Sequence, residues 1–169
     1  MTCSPAQRGF GLLEALVGVA LLAVASNSLL GALNRAHAQA RALHNSQRAQ
    51  ALLLDWLAML QAHQTSENAP ALDTYTHVFD QALPTSTDCS QRACSGEEWA
   101  RFDQARWGLA VSQTLPHGRF AMQATGPGQL SIALAWLQSS ALPAVPSPAR
   151  ASGIPCPAQH QCLQLLATP

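Results

Sequence analysis

Six residues have the types and spacing that could do chemistry in this chain: five cysteines and one isolated carboxylate. Cys89, Cys94, Cys156 and Cys162 form an even set in the C-terminal half, and Cys3 stands near the start. Four thiols can pair as disulfides in three ways. The short spacings favour Cys89 with Cys94 and Cys156 with Cys162, while a long-range pair such as Cys89 with Cys162 stays open. The rival chemistry is metal binding, because His160 lies between Cys156 and Cys162. Structural zinc prefers short matched pairs of the C-x(2–4)-C kind, and five residues separate Cys156 from Cys162. Glu14 is the lone carboxylate, the only charged side chain in the 24 residues from Phe10 to Leu33. Nothing reads as a catalytic residue. There is no G-x-S-x-G and no G-x-x-x-x-G-K, and the nine basic residues are all arginine, so no phosphate-binding lysine exists. Neither enzymatic activity nor a cofactor is expected.

The apolar run around Glu14 sets the first structural element. A membrane-spanning helix needs about 20 mostly apolar residues. A charge at the centre of such a span costs roughly 2.5–3.5 kcal/mol on insertion scales, so Glu14 needs a place near the interface or a partner. A secretory signal would have a basic start, an apolar core of about 7–15 residues and a small-residue cleavage site. Here the run is too long, and an acidic residue stands at its front. A plain single-span anchor fits the length but explains neither Glu14 nor the Gly9-Phe10 junction.

The segment Arg8-Gly9-Phe10-Gly11-Leu12-Leu13-Glu14 resembles the class III signal of type IV prepilins and type II secretion pseudopilins. In that family a short polar leader ends in Gly, cleavage falls before Phe, and Glu is the fifth residue of the mature chain. Gly9, Phe10 and Glu14 match those positions. The resemblance implies a leader at 1–9 that a prepilin peptidase removes between Gly9 and Phe10, with methylation of the freed Phe10 amine. It implies that Glu14 offers a counter-charge to a neighbouring subunit's Phe10 amine, since a charge withdrawn from water is tolerable mainly when paired. Arg8 is the only basic residue of the leader, fewer than family leaders often carry, but even a small Arg/Lys bias can orient a span. The remaining chain would face the periplasm, where oxidation makes disulfides among the four cysteines the default and no metal site is expected. Cys3 would leave with the leader.

The elements that follow can be read from periodicity. No proline occurs between Pro5 and Pro70, so one helix is expected from Phe10 to about His63, roughly 80 Å long. Its membrane half is 10–33 and its amphipathic half 34–63. In the latter, Ala36, Ala40, Leu43, Leu54, Leu57 and Met59 alternate with Arg35, Arg41, Arg48, Gln50 and Asp55 at helical spacing. The head, 64–169, begins as a polar loop with at most a short helix around Tyr75 to Leu83. Ser95-Gly96-Glu97-Glu98 is a helix start with a capping serine and carboxylates at the positive end. Trp99, Phe102, Ala105 or Arg106, Leu109 and Val111 carry that helix to a stop before Pro116. Two alternating runs follow: Phe120, Met122 and Ala124, then Leu130, Ile132, Leu134 and Trp136. The Gly126-Pro127-Gly128 turn between them predicts an antiparallel hairpin. Residues 139–157 read as a Pro-rich irregular loop, and Cys162 to Ala167 as a third strand. The expected class is α+β and pilin-like, a long helix packed against a small antiparallel sheet.

The head carries a second resemblance. Asp103-Gln104-Ala105-Arg106-Trp107, then Leu115-Pro116-His117-Gly118 and a strand ending in Ala135-Trp136, are similar to the soluble part of PilV-type minor pilins. The two resemblances together imply a minor pilin of the type IV pilus, made as a prepilin in the inner membrane with a periplasmic head. It would then be inserted into the pilus fibre or its tip. Its partners would be the prepilin peptidase, major and minor pilins, the inner-membrane assembly machinery and the lipid bilayer. A minor pseudopilin of a type II secretion system is the alternative, and a plain membrane-anchored periplasmic domain the rival from another class. Hydrophobic residues make up 48% and charged ones 11%, with zero formal net charge. No broad basic face for nucleic acid is therefore expected.

Overall fold

The computed structural model describes residues 10–64, 69–137 and 153–168. The expected leader at 1–9, with Gly9, and most of the Pro-rich loop at 139–157 lie outside the described residues. The elements are α1 (Phe10–Gln64), a 3₁₀ turn (Leu72–Tyr75), α2 (Gly96–Thr114), β1 (Arg119–Gly126), β2 (Gln129–Leu137) and β3 (His160–Ala167). The chain divides into two compact units within α1, the first ending at Ala40 and the second starting at Arg41. This is the expected α+β class: a long N-terminal helix and a three-stranded antiparallel sheet in the order β1-β2-β3.

In the first unit α1 shows its apolar side chains outward, with Leu12 69% and Leu22 68% exposed. In the second unit the same helix buries a stripe of Ala49, Leu53, Trp56 and Leu60, spaced four, three and four apart as one helix face requires. This corrects the expected amphipathic face. Leu43 and Leu54 are 62% and 66% exposed, while Leu57 and Met59 only flank the core. Leu52, Leu53 and Leu54 are consecutive, so hydrophobicity points in nearly all directions there and does not choose a side. The buried bulk of Trp56 does.

The segment after α1 was expected to be a polar loop with at most a short helix around Tyr75 to Leu83. The 3₁₀ turn ends at Tyr75, Thr76 is extended, and a turn follows at Phe79 and Asp80. His77 pairs there with Met122 as an isolated antiparallel bridge on the free edge of β1. The backbone N–H and C=O of His77 thus complete ladder bonds that a helix would have taken for itself.

α2 starts as expected with a capping box. The Glu98 N–H donates to Ser95 Oγ at 3.3 Å, and the Ser95 N–H donates to Glu98 Oε2 at 2.9 Å. Its buried face comprises Ala100, Asp103, Gln104, Trp107, Gly108 and Val111, whereas Leu109 is 52% exposed. Apart from Trp107 and Val111 this face is made of small and polar residues, so counting large apolar side chains misplaces it. Gly108 is there for space: a Cβ would lie 2.2 Å from the Leu83 side chain and 2.7 Å from the Phe120 ring. The helix stops at Leu115-Pro116, where the Gly118 N–H donates to Leu115 O at 3.0 Å. A Cβ on Gly118 would fall 2.4 Å from Val111 O, so this turn admits only glycine without a shift.

The hairpin forms with Arg119 opposite Ala135 and Ala124 opposite Leu130, and a register shift before Gly126. Gly128 has φ 68°, a left-handed turn position. On β2, Leu130, Ile132, Leu134 and Trp136 enter the main core with Phe120 and Met122. The other face is also buried, since Ala133 packs with Ala121 and Ile154. β2 is therefore covered on both sides, beyond the half-buried alternation expected, and β3 pairs along its far edge from Leu130–Ala167 to Leu137–His160.

The core is held by aromatic rings. Trp56 of α1 lies 4.7 Å from Trp107 of α2 and edge-on to Tyr75 at 5.6 Å, while Trp107 meets Phe120 at 5.1 Å. The Trp107 Nε1–H donates to Leu52 O at 3.1 Å. Trp56→Ala is expected to lower unfolding stability by about 3–5 kcal/mol. Trp107→Phe, which keeps a ring and loses one hydrogen bond, should cost about 1 kcal/mol. Urea titration of the full chain in detergent, followed by near-UV circular dichroism, measures both.

Candidate functional site: the carboxylate-bearing helix and the buried Asp103 cluster

Among the described residues one helix is long and apolar enough to cross a membrane, within Gly11–His63, with a mean hydropathy of 2.0 over its most apolar stretch. None of that stretch is buried within the chain. Phe10 is the first residue of α1, and Glu14 is exposed one helical turn later. The spacing of four places Glu14 on the same face as Phe10, about 6 Å further along the axis. Glu14 has no ion-pair partner among the described residues. An exposed carboxylate within an apolar segment suits a contact supplied from outside its own chain. Gly9, the other half of the expected cleavage site, lies outside the described residues.

The cysteines are joined in the pairs that close spacing favours. Cys89 bonds to Cys94, with Cα atoms 5.7 Å apart, and Cys156 bonds to Cys162, with Cα atoms 6.0 Å apart. The first bridge closes the loop before α2. The second ties the approach to β3 onto that strand, where Gln164 Nε2 also donates to Ile154 O at 2.7 Å. Among the described residues no group of three or more His, Cys, Asp or Glu side chains is arranged to hold a metal ion.

The structure adds a buried polar cluster around Asp103, a residue met in the sequence only as the start of the PilV-like run. Asp103 of α2 is buried, and its Oδ2 receives His63 Nε2 at 3.0 Å and the Tyr75 hydroxyl at 3.4 Å. The three residues come from α2, the end of α1 and the 3₁₀ turn, so one carboxylate ties three elements. The His63 ring also lies 5.4 Å from Trp99. Burial pushes the Asp103 carboxyl above its ordinary range, opposed by the nearby His63 and by the Tyr75 hydrogen bond. Burial, and next the Asp103 charge, push the Tyr75 hydroxyl up in turn. A cleft of about 200 Å³ beside the cluster is lined by Asp55, Met59, Asp103, Arg106 and Trp107. No nucleophilic side chain lines it, and the arrangement is that of a structural tie. Its sequence signal was faint: Asp103 stands four residues before Trp107 and three after Ala100, on the face those two bury.

No protein-family model matches the chain, and neither a curated protein nor a solved structure matches it.

Two buried groups give the head a pH dependence. His77 is 3% exposed and stacks on Phe120 at 4.2 Å, and burial lowers its pKa from the ordinary 6.5. Below about pH 6.5 the unfolded chain takes up a proton that the folded chain refuses. Its contribution is thus complete above that value and declines as pH falls toward the folded pKa. Asp103 acts with the opposite sign: burial raises its carboxyl from the ordinary 3.8, so its contribution is complete below that value and declines as pH rises toward the raised folded pKa. His77→Phe, which retains a stacking ring, should flatten the acid-side loss of melting temperature below pH 6.5. Thermal denaturation of wild type and variant across pH 4–8 measures the difference.

Proposed function

We propose that this chain is a minor pilin of the PilV kind, acting in assembly of a type IV pilus without catalysis. The observation that carries the reading is the carboxylate at the fifth position of an exposed apolar helix, directly after a Gly-Phe junction. An α+β head at the end of the same helix supports it. In this reading the chain is held in the inner membrane by residues 10–33, with its head in the periplasm. Prepilin peptidase cuts after Gly9, and the freed Phe10 amine is methylated. The chain then enters the fibre or its tip by packing its apolar helix among those of other major and minor pilins, through the inner-membrane assembly machinery. Glu14 pairs with the Phe10 amine of a neighbouring subunit, which makes burial of both charges tolerable. The disulfides fit an oxidising compartment.

The N-terminal mass of the mature protein tests processing. A chain beginning at methylated Phe10 is expected, and retention of Met1 or cleavage near Ala25 would overturn the pilin class. Deletion should abolish or reduce pili, whereas loss of secreted enzymes with intact pili would move the protein to the pseudopilin class. Glu14→Gln should be processed normally yet enter sheared pili at a clearly reduced level, read by immunoblot. Entry at the wild-type level would remove the pairing role.

A further inference from the structure

The apolar half of α1 holds a polar group that pilus entry through Glu14 does not use. Between Phe10 and Leu33 the polar side chains are Glu14, Ser26, Asn27 and Ser28. Ser26 Oγ donates to Leu22 O at 2.8 Å, and Ser28 Oγ donates to Val24 O at 2.9 Å. Both serine hydroxyls are thereby satisfied within their own helix. The Asn27 carboxamide is exposed and has no hydrogen-bond partner among the described residues. Asn27 sits six residues before Leu33, about 9 Å inside the end of the apolar run. Its short side chain does not reach the interface as a lysine or arginine would. In hydrocarbon an unpaired amide is costly, and the available remedy is a polar group on another helix.

The neighbours of Asn27 fit such a helix. Ala20, Ala23 and Gly31 stand seven and four residues before and four after it, on one face. A Cβ at Gly31 would meet nothing within 4 Å, so packing within the chain does not call for glycine there. Glycine is a poorer helix former than alanine, yet it lets a second backbone come close. Glu14, thirteen residues before Asn27, points roughly 140° away around the helix. A contact through Asn27 therefore keeps the two Glu14 carboxylates apart and leaves them for other partners.

We propose that the span pairs with a second copy of itself as a parallel dimer, the two Asn27 carboxamides hydrogen-bonded across a close approach at Gly31. Two copies inserted with the same orientation put Asn27 at the same depth. A carboxamide carries both donor and acceptor, so it complements itself. The inference rests on residues 10–33 lying in a membrane, as the proposed function has them, and is independent of pilus entry.

Because the chain has no lysine, its N-terminal amine is a unique site for amine-reactive dyes. Full-length protein carrying donor or acceptor there, reconstituted in phosphatidylcholine vesicles, reports pairing by energy transfer at graded protein-to-lipid ratios. Asn27→Leu should weaken association about 3- to 30-fold, and Asn27→Gln should retain most of it. Gly31→Ile should also weaken it, while Ser28→Ala should leave it unchanged. Transfer no greater than random proximity in the wild type, or equal association of wild type and Asn27→Leu, would overturn the dimer. Release of the wild type from the vesicles by alkaline carbonate would show that the span is not embedded, and would overturn the membrane reading together with the dimer.

Discussion

The contact between Trp56 and Trp107 is the one on which the rest of the head depends. It joins a helix dictated mainly by its apolar start to a domain that must fold around its end. The indoles meet at 4.7 Å, and the Trp107 N–H reaches back to the carbonyl of Leu52, one turn before Trp56. A large ring contact and a directed hydrogen bond together fix the rotation of the helix about its axis, which uniform leucines leave free. Once that rotation is set, Ala49, Leu53 and Leu60 face inward, and Tyr75, Phe120 and the β2 side chains have a surface to pack on. The buried Asp103 lies on the same side of α2 as Trp107 and holds His63 from the end of the long helix. Aromatic packing and the hydrogen-bonded Asp103 tie therefore act on the same pair of helices.

Much of the fold was legible because its signals are local. The capping serine, the hairpin turn, the third strand and the proline-free run each depend on a few adjacent residues, and each element formed where those residues stand. The errors share one cause: the sense in which a helix turns its face is decided by distant partners. On α1 the choice between Leu53 and Leu54 is made by Trp56. On α2 it is made by Gly108, whose missing side chain admits Leu83 and Phe120. The segment after Tyr75 follows the same rule. His77 becomes extended because the edge of β1 offers it ladder bonds, and no pattern within residues 75–83 announces that edge.

The candidate site divides along the same line. Glu14 was legible because a charge in a long apolar run is conspicuous without any knowledge of packing. The Asp103 cluster was not, since His63, Tyr75 and Asp103 are far apart in sequence and each is unremarkable alone. The polar groups of the two units also differ in how they are satisfied. In the head, Asp103 finds partners within the chain and the His77 ring is buried with its pKa lowered, while Trp56 Nε1 and Gln104 Nε2 are buried with no hydrogen-bond partner among the described residues. In the first unit the serines bond to their own helix, and Glu14 and Asn27 are left to what lies outside it.

The two disulfides have a consequence for how the chain reaches its oxidised form. Each joins near neighbours, five and six residues apart in sequence. Linking Cys89 to Cys162 instead would close a loop of about 70 residues, about 2 kcal/mol costlier in loop entropy. The thiols that collide most often in the extended chain are thus the ones that belong together. An oxidant acting on the chain as it emerges, before any tertiary structure exists, favours the final pairing, so there is little for a disulfide-shuffling enzyme to correct.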